Sequence, residues 1–278
     1  MVAKWLRSNI QTVTVILIAV LFVLVTATAV MLTLPNNTPS STDTETQTVS
    51  FPSVSIPNDV FVDIQCEHTF EGYTDRYLEG SEELIYSFAS YPVLLGDDIE
   101  FIDVINNSIY EFVSNKSSIK EHEKILSREK YERAQTSAEG FIQFEFLLKT
   151  ESVTVKEKFI SILFSYSRTV SLSEPSYEYF SLTFDLLSGE IADISDVIAM
   201  SEENAVEYVA SIISQDIAIN PSIYYPNAKN ELKSSIDLNS FYFSDSGVVL
   251  FFNPEVLTPS VYGIRSFLIP YDKIGYTS

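Results

Sequence analysis

The spacing of hydrophobic positions changes along this chain. An uncharged, mostly apolar run extends from Val13 to Leu34, and residues 35–59 are rich in Ser, Thr, Pro and acidic residues. From residue 60 onward, two-residue alternation is interleaved with three- and four-residue spacing, and these patterns are typical of strands and amphipathic helices respectively. The pattern therefore predicts an apolar span, a spacer and a folded region over residues 60–278.

Strand and helix patterns alternate within the folded region. Strands are predicted in "VFVDIQCEHTF" (60–70), "EELIYSFASYPVL" (82–94), 141–148, 153–167, 177–186, 240–244 and 248–252. Helices are predicted over 97–116 and 201–218, while the charged stretch 117–139 fits either a continued helix or a loop. The expected class is α+β, with antiparallel sheet and two main helices packed on one face. Two halves are expected, about 60–150 and 151–278.

The apolar run is long enough to cross a bilayer as one helix. Lys4 and Arg7 precede it, which places residues 1–12 in the cytoplasm and the folded region outside. The alternative is a cleaved signal peptide, because Ala27 and Ala29 have the small-x-small form of a signal peptidase site. The continuation of the run to Leu34 favours a retained single-pass anchor at the cell membrane, followed by a flexible spacer.

The folded region is strongly acidic. Lys4 and Arg7 are the only charged residues before position 35, so the remainder has 17 − 2 = 15 basic residues against 38 acidic ones, a net charge of 15 − 38 = −23. Such a surface repels nucleic acid and attracts cationic partners, although it also serves simply to keep an exported protein soluble. Nucleic acid binding is therefore not expected.

Catalytic and metal motifs are not evident. The chain has two histidines and one cysteine, and it lacks H-E-x-x-H, C-x-x-C, G-x-S-x-G and phosphate-loop patterns. Cys66 and His68 share a strand face, but a buried thiol beside a half-exposed imidazole is the simpler interpretation. Glu190, Asp193 and Asp196 could bind Ca²⁺, or Asp193 could cap a short helix. We expect no enzyme activity, no catalytic residue, no metal and no cofactor, although paired acids of a glycosidase cannot be recognised from composition.

Two motifs resemble a family of bacterial extracytoplasmic domains. "LTFDLLSGEIADISDVI" (182–198) is similar to a hairpin followed by a short helix, and "GVVLFFNPEVLTPSVYGIRSFLIPYDKI" (247–274) is similar to the C-terminal signature of that family. The family forms the outer part of RsiV-type anti-sigma factors and the N-terminal region of some peptidoglycan deacetylases. The resemblance covers about residues 60–276 and is weaker in its first half, around "YPVLLGDDIEFIDVINNSIYEFV". We expect neither an anti-sigma module nor a deacetylase domain in this chain.

The resemblance implies recognition of lysozyme, a cationic wall hydrolase. Candidate contact residues are Glu174, Glu178, Glu255 and Tyr262. The turn residues Gly189, Gly247, Pro254, Pro259 and Gly263 are expected to be structural. Departures from the family pattern are Glu255 and Val256 after Asn-Pro, Ser260 in place of a tyrosine, and "SLSEPSYEY" in place of a Gly-Gly-x-His loop.

Two functional hypotheses remain open from the sequence. The first is a membrane-tethered extracytoplasmic sensory or binding domain for a cationic protein such as lysozyme, favoured by the net charge. The alternative is a module or enzyme accessory that binds peptidoglycan fragments or polysaccharide, with aromatic rings as sugar platforms. Salt should weaken the first kind of binding sharply and the second hardly at all.

Overall fold

A computed structural model describes residues 66–96, 99–137, 140–172 and 174–274. The predicted anchor at 13–34, with Ala27 and Ala29, and the predicted spacer at 35–59 lie outside these ranges. The first predicted strand, 60–70, falls only partly within them. No helix in the described ranges is long and apolar enough to cross a bilayer.

The first sheet has five strands in the order β1-β2-β3-β4-β5. Its strands are β1 (Glu67–Glu79), β2 (Glu82–Leu95), β3 (Phe144–Lys156), β4 (Phe159–Thr169) and β5 (Ser176–Asp185). The prediction of an antiparallel sheet is wrong at one pair, because β2 and β3 run parallel. Parallel neighbours need a long crossover, and two helices between β2 and β3 supply it. The expected boundary near residue 150 falls inside β3.

The crossover consists of α1 (Ile102–Ser117) and α2 (Glu121–Thr136). Ile105, Ile109 and Val113 of α1 are completely buried, and their spacing is that of one helix face. The charged stretch is a separate helix, because the Glu123 carboxylate accepts a hydrogen bond from the Lys120 backbone at 2.8 Å and starts a new turn there. The first sheet is therefore covered by two helices that follow each other directly in the chain.

The second sheet has three antiparallel strands in the order β6-β7-β8. The elements that follow β5 are α3 (Ile194–Val197), α4 (Glu202–Ile219), α5 (Ala228–Ser235), β6 (Phe241–Ser244), β7 (Gly247–Phe252) and β8 (Arg265–Pro270). The α+β class is thus confirmed. Two main helices were expected, whereas α1, α2 and α4 are all long, with 16, 16 and 18 residues.

The two sheets share one interior. Phe159 of β4 belongs to the same buried cluster as Val209 and Ile213 of α4 and Phe243 of β6. At the junction, the Ser161 hydroxyl lies 3.1 Å from the Thr183 hydroxyl and 3.4 Å from the Phe243 backbone nitrogen, which donates to it. These three polar groups at the junction of the sheets are therefore hydrogen-bonded, as is usual for buried polar groups.

Two glycines stand where a side chain would collide. A Cβ on Gly189, whose φ is +73°, would lie 2.6 Å from Phe101 Cβ. A Cβ on Gly247 would lie 2.9 Å from Pro270 Cα and closer still to the Ile269 carbonyl oxygen. Gly247 begins β7 in an almost extended conformation, with φ of 159°. A glycine is therefore required at position 247 by the close approach of β8 rather than by a left-handed turn.

Replacing Gly247 by alanine should destabilise the second sheet, because the new methyl group forces β7 and β8 apart. We expect a loss of about 1–3 kcal/mol in the free energy of unfolding, as for other overpacked sites, measured by urea denaturation. Gly140→Ala is the matched control, since nothing lies within 4 Å of its added Cβ. Equal stability of the two variants would contradict this account.

Candidate functional site

The connection between β7 and β8, residues 253–264, is attached to the edge of the first sheet. The Asn253 side-chain Oδ1 accepts a hydrogen bond from the Tyr179 backbone N–H at 2.7 Å, and its Nδ2 donates to the Tyr179 carbonyl at 2.9 Å. Tyr179 belongs to β5, the last strand of its sheet. The side-chain amide of Asn253 thus makes the two hydrogen bonds that a residue of an adjacent strand would make, and it holds the connection beside β5.

Glu255 organises the next part of the connection. Its backbone has a positive φ of 71°, and its N–H donates to the Thr258 carbonyl at 3.0 Å. The carboxylate accepts from the Ser260 backbone N–H and from the Tyr225 hydroxyl, both at 3.2 Å. The hydrogen bonds from Ser260 and then from Tyr225 lower the pKa of Glu255. The residue therefore folds the turn in addition to adding negative charge.

A cleft of about 880 Å³ lies between β5 and this connection. This volume is within the usual range of ligand sites, roughly 300–1,000 Å³. We call it the crossover cleft, and its lining consists of Glu174, Pro175, Ser176, Tyr177, Glu178, Tyr179, Pro254, Glu255, Ser260, Val261, Gly263 and Ile264.

The predicted contact residues meet at the crossover cleft. Glu174, Glu178 and Glu255 all line it, although Glu255 is far from the other two in the chain. Tyr262 lies beside the lining, on the short 3-10 turn Ser260–Tyr262, and is 44% exposed. Pro254 and Gly263 also line the cleft, whereas Gly189 and Gly247 do not.

The charge of the cleft is negative. Glu174 and Glu178 are exposed, and neither carboxylate forms an ion pair with any residue that the structure describes. The lining contains no lysine or arginine. Arg265, which follows the connection directly, pairs with Asp216 at 3.1 Å and is not available to neutralise the cleft.

Two exposed apolar side chains at the cleft were not singled out from the sequence. Val261 is 83% exposed and Tyr177 is 56% exposed. Tyr177 appeared only as one position of an alternating strand, and nothing in that pattern distinguishes a sheet edge from its interior. The position of Val261 at the tip of the 3-10 turn follows from the fold of the connection, which a hydrophobic pattern does not encode.

The other sequence candidates do not form a second site. The His68 ring packs edge-on against Phe70 with centroids 5.2 Å apart, while the Cys66 thiol lies 3.9 Å from the Leu95 carbonyl. Burial raises the pKa of the Cys66 thiol, which makes it less nucleophilic.

The acidic segment around Asp193 has a structural role. The Asp193 carboxylate accepts from the backbone N–H of Ser195 at 2.6 Å and of Asp196 at 3.3 Å, so it caps α3. Of the two alternatives, the helix cap is the one that the structure contains. No group of three or more His, Cys, Asp and Glu residues within the described ranges could hold a metal ion.

Comparison with known proteins identifies a family segment. Residues 195–272 match the family model described as "Protein of unknown function (DUF3298)". A crystal structure of a DUF3298 family member from Bacteroides fragilis is similar with a TM-score of 0.51 and 13% sequence identity, over 78% of this chain and 94% of that chain. A DUF3298 family protein from Pseudomonas aeruginosa gives a TM-score of 0.45 and 10% identity, over 77% and 94% of the respective chains. No curated protein matches the sequence.

The matched segment contributes one wall of the crossover cleft. It runs from α3 to the end of the second sheet and includes the connection at 253–264, whereas β5 lies outside it. Residues 195–272 are thus similar to the DUF3298 family, and the chain has the fold of the solved family member from Bacteroides fragilis.

Replacing Asn253 by alanine should release the connection from β5. Two hydrogen bonds are lost and the Tyr179 backbone is left unpaired, so we expect a loss of about 1–3 kcal/mol in unfolding free energy. Hydrogen exchange of the Tyr179 amide should accelerate as well. Asn227→Ala is the control, because the exposed Asn227 side chain makes no cap hydrogen bond. Unchanged exchange at Tyr179 would refute the attachment.

Proposed function

We propose that this protein is a membrane-tethered extracytoplasmic recognition domain that binds a cationic protein of the lysozyme type in the crossover cleft. The observation that carries the proposal is the meeting of Glu174, Glu178 and Glu255 around one cleft, with no cation in its lining. Carboxylates without ion pairs at a cleft attract positively charged side chains of a partner.

The distribution of charge supports the same proposal. Residues 174–274 contain 15 Asp and Glu against 4 Lys and Arg, which gives 4 − 15 = −11. Such a surplus extends the attraction beyond the cleft and accelerates encounter with a cationic partner at low ionic strength. A strongly acidic surface around an acidic cleft therefore suits a partner that is positive over a broad surface.

The family findings support an extracytoplasmic setting. DUF3298 is found in RsiV-like and related extracytoplasmic proteins, and the sequence motifs at 182–198 and 247–274 resemble the outer domain of RsiV-type anti-sigma factors. In the proposed arrangement, residues 13–34 anchor the chain. A coil of the length of residues 35–59 would hold the domain about 27 Å from the membrane.

The test is a calorimetric titration of the full chain in detergent with hen-type lysozyme at low and high salt. We expect a dissociation constant on the order of micromolar or tighter at low salt. At about 0.5 M salt the affinity should fall by about tenfold or more, because exposed charges are then screened. Absence of binding at both salt concentrations would contradict the proposal, and peptidoglycan fragments would then test the alternative function.

Two double substitutions distinguish the contribution of the cleft carboxylates to binding from that of the overall net charge. Glu174→Gln with Glu178→Gln should weaken binding by about tenfold, since each removes an acid from the cleft. Glu202→Gln with Glu203→Gln makes the same charge change at exposed positions of α4 outside the lining and should have a much smaller effect. Equal losses in the two variants would assign the binding to net charge alone. Glu255 is unsuitable for this comparison because it also folds the connection.

A further inference from the structure

The free edge of β5 follows a regular alternation. In an antiparallel pair, the backbone N–H and C=O of alternate residues point away from the neighbouring strand. In β5 the odd-numbered residues point outward, because Tyr179 bonds to Asn253, the Thr183 carbonyl accepts from the Ala192 N–H at 2.8 Å, and the Asp185 N–H donates to the Glu190 carbonyl at 3.0 Å. From Tyr179 to the end of the strand, the outward-pointing residues other than Ser181 therefore form hydrogen bonds with other parts of the same chain.

Tyr177 is the next residue of this outward series. It pairs with Ser167 of β4 in the same register as Tyr179 with Ser165, so its N–H and C=O also point outward. No residue in the described part of the chain forms a hydrogen bond with these two groups. Tyr177 lines the crossover cleft and is 56% exposed. The cleft therefore offers one unused pair of backbone hydrogen-bonding groups beside the occupied pair at Tyr179.

We infer that the crossover cleft holds its partner through an extended peptide segment that pairs with the backbone of Tyr177 and carries Lys or Arg side chains. This inference rests on the proposed function and specifies how that site recognises its partner. Addition of a strand to a sheet edge gives affinity through the backbone and specificity through alternate side chains. Asn253 already demonstrates the geometry one pair further along β5, at Tyr179.

The alternation of side chains predicts the sequence of the segment. The residue opposite Tyr177 places its side chain on the same face as the Tyr177 ring, whereas its two neighbours lie on the face of Glu178. An apolar residue is therefore expected opposite Tyr177, within reach of the ring. A Lys or Arg is expected on either side, one opposite the Glu178 carboxylate and the other opposite Ser176 on the same face. The expected core is Lys-X-Lys with X apolar, and the negative cleft favours it over a neutral or acidic segment.

The test uses the full chain in detergent and two synthetic peptides that begin Lys-Val-Lys-Thr, one of which has an N-methylated valine. In the antiparallel register no peptide residue then lies opposite Tyr179, which Asn253 occupies. The methyl group removes the N–H that would donate to the Tyr177 carbonyl and leaves the charge unchanged. We expect the unmethylated peptide to bind at low salt and the methylated peptide to bind about five- to tenfold more weakly, as for loss of one or two hydrogen bonds.

Substitutions of Tyr177 test the same contact from the protein side. Tyr177→Pro removes an N–H that β4 does not use, and proline is tolerated on edge strands at such positions. Tyr177→Ala removes the ring and keeps the N–H. We expect the proline variant to bind the unmethylated peptide about fivefold more weakly than the alanine variant, and to distinguish the two peptides less than the wild type does. An unchanged urea midpoint of the proline variant confirms that the strand is intact.

The outcomes separate this inference from the proposed function. Equal binding of both peptides to the wild type, or equal binding by the proline and alanine variants, would overturn the backbone contact. If the double variant Glu174→Gln with Glu178→Gln still weakened lysozyme binding, the proposed function would be supported even without the backbone contact at Tyr177. Should the proline variant fail to fold, the methylated peptide decides the question alone. Absence of binding by either peptide would exclude an extended basic segment as the occupant.

Discussion

The pairing of the Asn253 amide with the backbone of Tyr179 is the interaction on which the crossover cleft depends. It joins the connection between β7 and β8 to the edge of the five-stranded sheet with two hydrogen bonds, at 2.7 and 2.9 Å. Because the residues on its two sides come from distant parts of the chain, neither wall alone would form a cleft. The hydrogen bonds of Glu255 to Ser260 and Tyr225 then fix the shape of the attached turn.

This attachment also brings Glu255 to the same cleft as Glu174 and Glu178. Glu174 precedes β5 and Glu178 lies near its start, and both are exposed to solvent and lack an ion pair with any described residue. The lysines and arginines of α2 that form ion pairs do so with other acids, as Arg128 does with Glu79 at 3.1 Å. Glutamates left unpaired at a solvent-exposed cleft contribute little to stability. Under the proposed function, they attract a cationic partner.

Much of the fold could be predicted from hydrophobic spacing, as α1 and α4 illustrate. Their apolar residues recur at helical intervals and are buried as expected. The parallel pairing of β2 with β3 could not be predicted, because the hydrophobic spacing along one strand carries no information about the direction of its neighbour. The candidate contact residues Glu174, Glu178 and Glu255 were singled out from charge and family resemblance. Their common cleft depends on the Asn253 contact, which joins segments far apart in sequence.

The proposed function requires that a cationic partner binds between β5 and the connection at 253–264. The most direct test is nuclear magnetic resonance of the isotope-labelled chain titrated with hen-type lysozyme at low salt. We expect chemical-shift changes to concentrate at residues 174–179 and 254–264 and the resonances of α2 to be unaffected. Changes confined to α2, or spread evenly over the acidic surface, would contradict it.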